Sequence, residues 1–323
     1  MPVSSRVRAR MLACCVAAIA ALGALVFAPA AGAFKLGGTY IALGDSLTYG
    51  YHAAEFKSEL KSKGFVEPTT FEEGYVNDFG ALLKVVNPKL QIINEGCPGE
   101  TTETLINGSG VPPQFGSFCA GGPTGTPFPY AFLHHPYATG SQLSDALEIL
   151  AENHNVSPIS LDIGANDVLQ FLSHVCGFPT TYTCTEAQVA AEFGKIAGNV
   201  GKILGELRAA APNAQIVVIG NYNPYPTILP APGGDKTVAL LNQTLASVTA
   251  KVPGASFTTV EPAFNPSVIT GGPETQDIPA ICAFTAMCPG GTFNPASPEA
   301  DIHPTKLGYQ VMAGFEAADF LSH

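Results

Sequence analysis

A serine, a glycine, an asparagine and a histidine stand where a folded chain could use them together for chemistry. Ser46 lies in the sequence GDSL, residues 44–47, directly after a short apolar run. A serine hydroxyl becomes a nucleophile when a base removes its proton, and His303 is a candidate for that base. The N–H groups of Ser46 and Gly99 and the amide of Asn166 could hold the oxyanion that forms. These residue types together predict acyl transfer.

Short apolar runs alternate with helical patterns along the chain, and they predict how these residues are positioned. Because strands that alternate with helices form βαβ units, the pattern predicts a parallel sheet covered on both faces, a three-layer α/β/α fold. The carboxyl ends of parallel strands meet at one edge of the sheet, so Ser46, Gly99 and Asn166 are expected to converge there. The predicted strands cover residues 40–43, 90–93, 159–163, 216–219 and 257–260.

Helical spacing is found between these strands. It predicts helices over residues 73–86, 141–152 and 238–252, and a long helix that begins with a capping box of Thr185 and Gln188. Pro304 suits the first turn of a last helix. Residues 108–140 are rich in Gly, Pro and Phe without a period, which predicts a long surface excursion.

The first 33 residues have the pattern of a secretory signal. Three arginines precede an apolar run over residues 11–27, and Ala31-Gly32-Ala33 follows. An uncleaved membrane anchor is the alternative, but the run is short and rich in alanine. We therefore expect cleavage after Ala33, a secreted protein without stable membrane insertion, and a single domain over residues 34–323.

The chain is acidic, which excludes some classes of partner. Its formal net charge is −11, and removal of a leader with three arginines and no acidic residue would make it −14. A strongly acidic protein repels phosphate backbones and anionic membranes. Nucleic acid is therefore not an expected partner.

Six cysteines lie beyond the leader, and an even number in an exported chain predicts disulfides. We expect neighbours to pair: Cys97 with Cys119, Cys176 with Cys184 and Cys282 with Cys288. A metal site is the rival interpretation of these cysteines. No Cys-x-x-Cys sequence and no clustered histidines support it.

The sequence resembles the GDSL, or SGNH, hydrolase family in four blocks that occur in the family's order. They are GDSL at residues 44–47, Gly99 within PGETT, GAND at 164–167 and DIHP at 301–304. The resemblance spans residues 40–309. It implies a flavodoxin-like fold with a five-stranded parallel sheet and hydrolysis of carboxylic esters, from lipids to acylated carbohydrates. It implies no metal and no organic cofactor.

The same resemblance implies a role for each matching residue. Ser46 would be the nucleophile, His303 the base, and Ser46, Gly99 and Asn166 the oxyanion donors. The family's usual acid stands three residues before the histidine, where this chain has Ala300. Asp301 could orient His303 instead, or a backbone carbonyl could do so and leave a Ser-His dyad.

Other hypotheses stay open at this stage. An acyltransferase or a carbohydrate O-deacetylase would use the same residues, and a non-catalytic binding protein could keep the fold. Aromatic residues of the excursion could line an acyl pocket or form a small core of their own: Phe115, Phe118, Phe128, Tyr130, Phe132 and Tyr137.

Several further polar residues are given structural roles. Asp45 and Asp167 are expected to hold their turns together, and Asp162 to bond backbone near the site. His134 and His135 are interpreted as surface or packing residues.

Overall fold

A five-stranded sheet in which every neighbouring pair is parallel forms the centre of the protein. The computed structural model describes residues 36–108, 130–137, 140–178, 183–227 and 234–323. The strand order is β2-β1-β3-β4-β5, the flavodoxin-like order, which confirms the predicted fold class. The strands are β1 (Thr39–Gly44), β2 (Gln91–Asn94), β3 (Val156–Asp162), β4 (Ile216–Gly220) and β5 (Ala255–Thr259).

Helices follow each strand and cover both faces of the sheet, which gives the predicted three layers. The helices are α1 (Ser46–Tyr49), α2 (Ala53–Lys63), α3 (Tyr75–Val86), α4 (Thr102–Asn107), α5 (Gln142–Glu152), α6 (Ala165–His174), α7 (Glu186–Ala210), α8 (Gly234–Thr249), α9 (Glu261–Phe264), α10 (Ser267–Thr270), α11 (Ile278–Phe284) and α12 (Lys306–Ser322). The capping box of Thr185 and Gln188 is present at the start of α7, as predicted.

Successive side chains of β1 point to opposite faces of the sheet, so this one strand contributes to two hydrophobic cores. Ile41 and Leu43 belong to the core shared with α5 to α8, whereas Tyr40 and Ala42 belong to the core shared with α3 and α12. All four side chains are fully buried. Each large apolar side chain that is buried in this way contributes ~1.5–3 kcal/mol. The position of residue 46 at the end of β1 is therefore fixed by packing on both faces.

A small antiparallel pair lies outside the main sheet and carries the DIHP sequence. Strand β6 (Thr285–Ala286) pairs with strand β7 (Asp301–Pro304). The Cys282–Cys288 disulfide brackets β6, and the Cys176–Cys184 disulfide follows α6. Both pairings were predicted and are confirmed. The third predicted pair includes Cys119, which lies outside the described residues, as does the predicted leader.

The helix predictions differ from the structure in several places, and the helices α1, α4, α9, α10 and α11 were not predicted. The polar stretch after Tyr51 contains α2, which was not predicted, and Asn166 lies in the first turn of α6 rather than in a simple turn. The interpretation of Pro304 was wrong. It lies in β7, and Thr305 caps α12 by accepting a hydrogen bond from the Gly308 N–H group. Within the described ranges, no helix is long and apolar enough to cross a membrane.

Candidate active site

Ser46 is the first residue of α1, at the point where the chain leaves the centre of the sheet. Asp45 caps this helix, and its Oδ1 accepts a hydrogen bond of 2.9 Å from the Leu47 N–H group. Gly44 has a φ of 148°, and a Cβ atom there would lie 2.2 Å from the Asp162 carbonyl oxygen. Only glycine fits such a turn, so the GDSL sequence is explained by the way it presents the serine.

His303 lies in β7 and reaches the serine from the other side. Its Nε2 atom is 2.8 Å from the Ser46 Oγ atom. The ring of Tyr51 packs against the imidazole, with ring centroids 4.7 Å apart. This separation between a ring nitrogen and a hydroxyl is the one that general-base activation of a serine requires.

Asp301 contacts the other side of the same imidazole. Its Oδ1 is hydrogen-bonded to His303 Nδ1 and accepts a 3.2 Å bond from the His303 N–H group. Its Oδ2 accepts a 2.8 Å bond from the N–H group of Ala53, the first residue of α2. Burial acts to raise the pKa of Asp301, but the bond and charge of His303 and the two N–H donors outweigh it and lower the pKa to about 2. The carboxylate is therefore ionised beside the imidazole.

Two of the expected oxyanion donors lie apart in the sequence: Gly99 is in the turn after β2, and Asn166 is in the first turn of α6. Asn166 donates a 3.1 Å bond from Nδ2 to Asp45 Oδ2. Gly99 has a φ of 83° in a turn that the Glu100 N–H group closes on the Cys97 carbonyl at 3.1 Å. The N–H groups of Ser46 and Gly99 donate no hydrogen bond to another described residue. Ser46, Asn166 and His303 line one cleft, whereas Gly99 does not belong to its lining.

Asp45 holds the turn before α1, as predicted, whereas the prediction for Asp167 was wrong, since its carboxylate bonds to Thr102, 65 residues away in the sequence, and not to its own turn. Burial raises the pKa of Asp45 to about 7 although Leu47 N–H and His303 oppose it. Asp167 accepts bonds from the N–H and hydroxyl of Thr102 at 2.9 and 2.6 Å, and burial raises its pKa to about 6. The prediction for the Asp162 side chain was wrong. Its two carboxylate oxygens are buried without a hydrogen bond from the described residues, and only its carbonyl accepts, from Asp45 N–H at 3.2 Å.

The surface of the cleft beside Ser46 is mostly apolar. Its empty volume is about 700 Å³, including the space open to solvent. Helices α6 and α8 and the end of β7 supply its apolar wall: Val168, Leu169, Leu172, Val238, Leu241 and Ile302. The sequence interpretation missed this wall. The apolar spacing that follows Asn166 was the signal that could have revealed it.

The two described aromatic side chains that were candidates for an acyl pocket, Phe132 and Tyr137, lie away from the cleft. Phe132 and Tyr137 pack into a small separate core with Tyr49 and Phe71. His134 bonds the Tyr49 carbonyl through Nε2 at 2.9 Å, which fits its predicted packing role. Phe132 and Tyr137 therefore pack against residues outside the excursion and do not line the cleft beside Ser46. The remaining candidates, Phe115, Phe118, Phe128 and the side chain of Tyr130, lie outside the described residues.

A comparison with protein families gives a match over most of the chain. Residues 42–311 match the GDSL-like lipase/acylhydrolase family. The chain belongs to this family. The family consists of lipases and acylhydrolases, so the chain is a hydrolase, and the match covers Ser46, Asn166 and His303.

Solved structures of similar fold include other esterases and lipases. An acetylxylan esterase from Geobacillus stearothermophilus is 14% identical, with a TM-score of 0.50 over 88% of this chain and 96% of that one. Phospholipase A1 from Streptomyces albidoflavus is 19% identical, with a TM-score of 0.46 over 87% of this chain and 100% of that one. A search among curated protein sequences gives no match.

Proposed function

We propose that this GDSL-family protein is a secreted carboxylic ester hydrolase that acts through an acyl-enzyme on Ser46. The observation that carries the proposal is the 2.8 Å contact between Ser46 Oγ and His303 Nε2, on an imidazole whose Nδ1 contacts Asp301. Serine, histidine and a carboxylate in this order form the constellation that activates a hydroxyl for acyl transfer.

The first half of the reaction acylates the serine. Ser46 Oγ attacks the ester carbonyl carbon while His303 Nε2 takes the hydroxyl proton, and the carbonyl oxygen becomes an oxyanion. His303 then gives that proton to the alcohol oxygen as the carbon–oxygen bond breaks. Asp301 stabilises the imidazolium formed in between. In the second half, water attacks the acyl carbon while His303 takes one of its protons, and His303 then returns that proton to Ser46 Oγ as the bond from Oγ to the acyl carbon breaks and the acid is released.

Three donors would bind the oxyanion: the N–H groups of Ser46 and Gly99 and the Asn166 amide. The two N–H groups are supported by their lack of another acceptor in the described part of the chain. Asp45 positions the third donor, because its carboxylate holds the Asn166 amide group. Donors that are fixed before the reaction stabilise the developing charge at no reorganisation cost.

The apolar wall of the cleft supports an ester with a hydrocarbon acyl chain. The aliphatic residues of α6 begin within one turn of Asn166, and those of α8 line the same cleft, so a chain attached to the reacting carbonyl could lie along them. An acetyl group would leave most of this wall exposed to water. Longer chains would bury it, and each added CH₂ is worth ~0.8 kcal/mol of binding.

Hydrolysis of p-nitrophenyl esters from acetyl to palmitoyl tests the proposal. With a chelator present, we expect wild-type protein to release nitrophenol, and Ser46→Ala and His303→Ala to fall by similar factors of at least ~10³ because the pair acts as a unit. Activity that persists in Ser46→Ala would contradict the serine mechanism. Faster release with a sugar or alcohol acceptor, together with an acylated acceptor as product, would identify a transferase instead.

We also propose that residues 1–33 are a leader and that residues 34–323 are a single hydrolase domain. The family match lies wholly within the second range, and two disulfides fit an oxidising compartment. N-terminal sequencing of protein from the culture medium of a secreting host should begin at Phe34. Protein that stays in the cell, or begins at Met1, would contradict this part of the proposal.

A further inference from the structure

Away from the cleft, one histidine and two carboxylates converge from three parts of the chain. Glu95 directly follows β2, His135 belongs to the segment 130–137, and Asp145 lies in α5. One ligand atom from each of them lies within 4.8 Å of the other two. His135 Nδ1 is 2.8 Å from Glu95 Oε1 and 3.2 Å from Asp145 Oδ2.

These short distances are not hydrogen bonds. Neither contact of His135 Nδ1 has hydrogen-bond geometry, and the two Glu95 oxygens are buried without a hydrogen-bond partner in the described part of the chain. The Glu95 side chain is 0% exposed. A fully buried carboxylate normally has such partners, because burial without them is strongly unfavourable. Its oxygens instead face the space shared with the histidine nitrogen.

The cluster contains two carboxylates and one imidazole. Glu95 and Asp145 are both buried, and the single ion pair recorded for Glu95 among the described residues is with His135. One imidazolium could neutralise one carboxylate. A divalent cation with a neutral imidazole would neutralise both, and it would accept lone pairs from all three atoms at once.

We propose that Glu95, His135 and Asp145 form a binding site for a divalent transition-metal ion, for which Zn²⁺ fits best. Zinc takes histidine nitrogen and carboxylate oxygen together, with a water molecule as a fourth ligand. Calcium and magnesium prefer sites made of oxygen alone. The site departs from the expectation that His135 only packs and that the protein binds no metal. The ion would join the residue after β2 to segment 130–137 and α5.

Direct titration tests the site. Oxidised full-length protein is stripped with EDTA, dialysed and titrated calorimetrically with ZnCl₂, MnCl₂ and CaCl₂. We expect one equivalent of zinc, with manganese and calcium at least ten-fold weaker, and at least a ten-fold loss of zinc affinity in Glu95→Gln and His135→Gln. His154→Gln is the matched control, since it removes an exposed histidine outside the cluster and should bind zinc as wild type does.

Two further measurements distinguish loss of the zinc site from misfolding of a variant. Zinc at a hundred times its Kd should raise the Tm of wild type by ~5 °C and leave that of His135→Gln unchanged. Anomalous diffraction from zinc-soaked wild-type crystals should place the ion between the three side chains. The proposal would be overturned if wild type bound zinc no more tightly than His135→Gln, or if the anomalous peak lay elsewhere. The cluster would then be an ion pair between protonated His135 and the buried Glu95 carboxylate.

Discussion

Replacement of Asp301 by asparagine removes a negative charge beside His303 and keeps the size of the side chain. The folded surroundings lower the pKa of Asp301 from 3.8 to about 2. At ~1.36 kcal/mol per pKa unit, they favour the charged over the neutral form by ~2.4 kcal/mol. The positive charge on His303 develops only as the reaction proceeds, so the loss falls on the transition state. Since the N–H groups of Ala53 and His303 account for part of this preference, we expect kcat to fall by at most ~60-fold while KM changes little.

The hydrogen bonds around residue 301 explain why kcat should not fall further in Asp301→Asn. Oδ1 accepts from two groups of His303, whereas Oδ2 accepts from Ala53 N–H alone. An asparagine therefore satisfies more donors with its oxygen towards His303 and its amide nitrogen towards Ala53. That orientation keeps the Nδ1 proton in place and the imidazole in the reactive tautomer.

The assay is steady-state hydrolysis of a p-nitrophenyl ester by Asp301→Asn, with Glu299→Gln as control. Glu299 is an exposed acid two residues away, and its neutralisation should change kcat less than two-fold. A loss below ~3-fold in Asp301→Asn would refute the charge argument and favour a Ser-His dyad. A loss as large as that of His303→Ala would show that the asparagine reverses the tautomer.

Three other perturbations have expected outcomes. Burial raises the pKa of Glu100 from 4.5 to about 8, so between these pH values the folded state keeps a proton that the unfolded state has released. The free energy of unfolding should therefore fall as the pH rises from 4.5 to 8. Urea titrations at pH 5 and pH 8 should show a smaller fall in Glu100→Gln than in wild type. An equal fall in the free energy of unfolding of wild type and Glu100→Gln would contradict this role of Glu100. The Cys282→Ala/Cys288→Ala double variant should lose ~2 kcal/mol of unfolding free energy in urea, from the chain entropy of its short loop, and an unchanged value would contradict that estimate. Leu169→Trp should fill the cleft and lower kcat/KM for the palmitoyl ester ~10-fold or more, while kcat/KM for the acetyl ester stays within two-fold. Leu82→Trp, at an exposed position on α3, is the control and should change neither value. Equal effects on both esters would refute the acyl wall.

Much of the fold could be predicted from the sequence because its strands are buried on both faces. Such strands appear as continuous apolar runs, and residues 40–43 and 216–219 are of this kind. Helix α2 has no such signal, since Glu59 is its one buried residue. Pro304 is compatible with a strand as well as with a first helical turn, and only the pairing with Thr285 decides between them.

The candidate site was predictable where its residues follow strands and not where contacts between distant loops define it. Ser46 and Asn166 follow β1 and β3, two neighbouring strands at which the order of the sheet reverses. The place of Asp301 depends on the N-terminus of α2, 248 residues away in the sequence. No local pattern in DIHP contains that contact. The role of Asp301 therefore stays a prediction for the experiment above.

The two-stranded pair β6–β7 has a consequence for how the protein would lose activity. Ser46 follows a central strand with a neighbour on each side. His303 lies on a separate pair of short strands, where the Ile302 carbonyl also accepts a 2.5 Å hydrogen bond from the Tyr222 hydroxyl. Isolated two-stranded pairs are marginally stable, and such elements open at free energies well below global unfolding. In mild denaturant, catalysis should therefore fade before the circular dichroism of the helices changes. Because the sheet persists in that partly opened state, the loss should reverse on dilution.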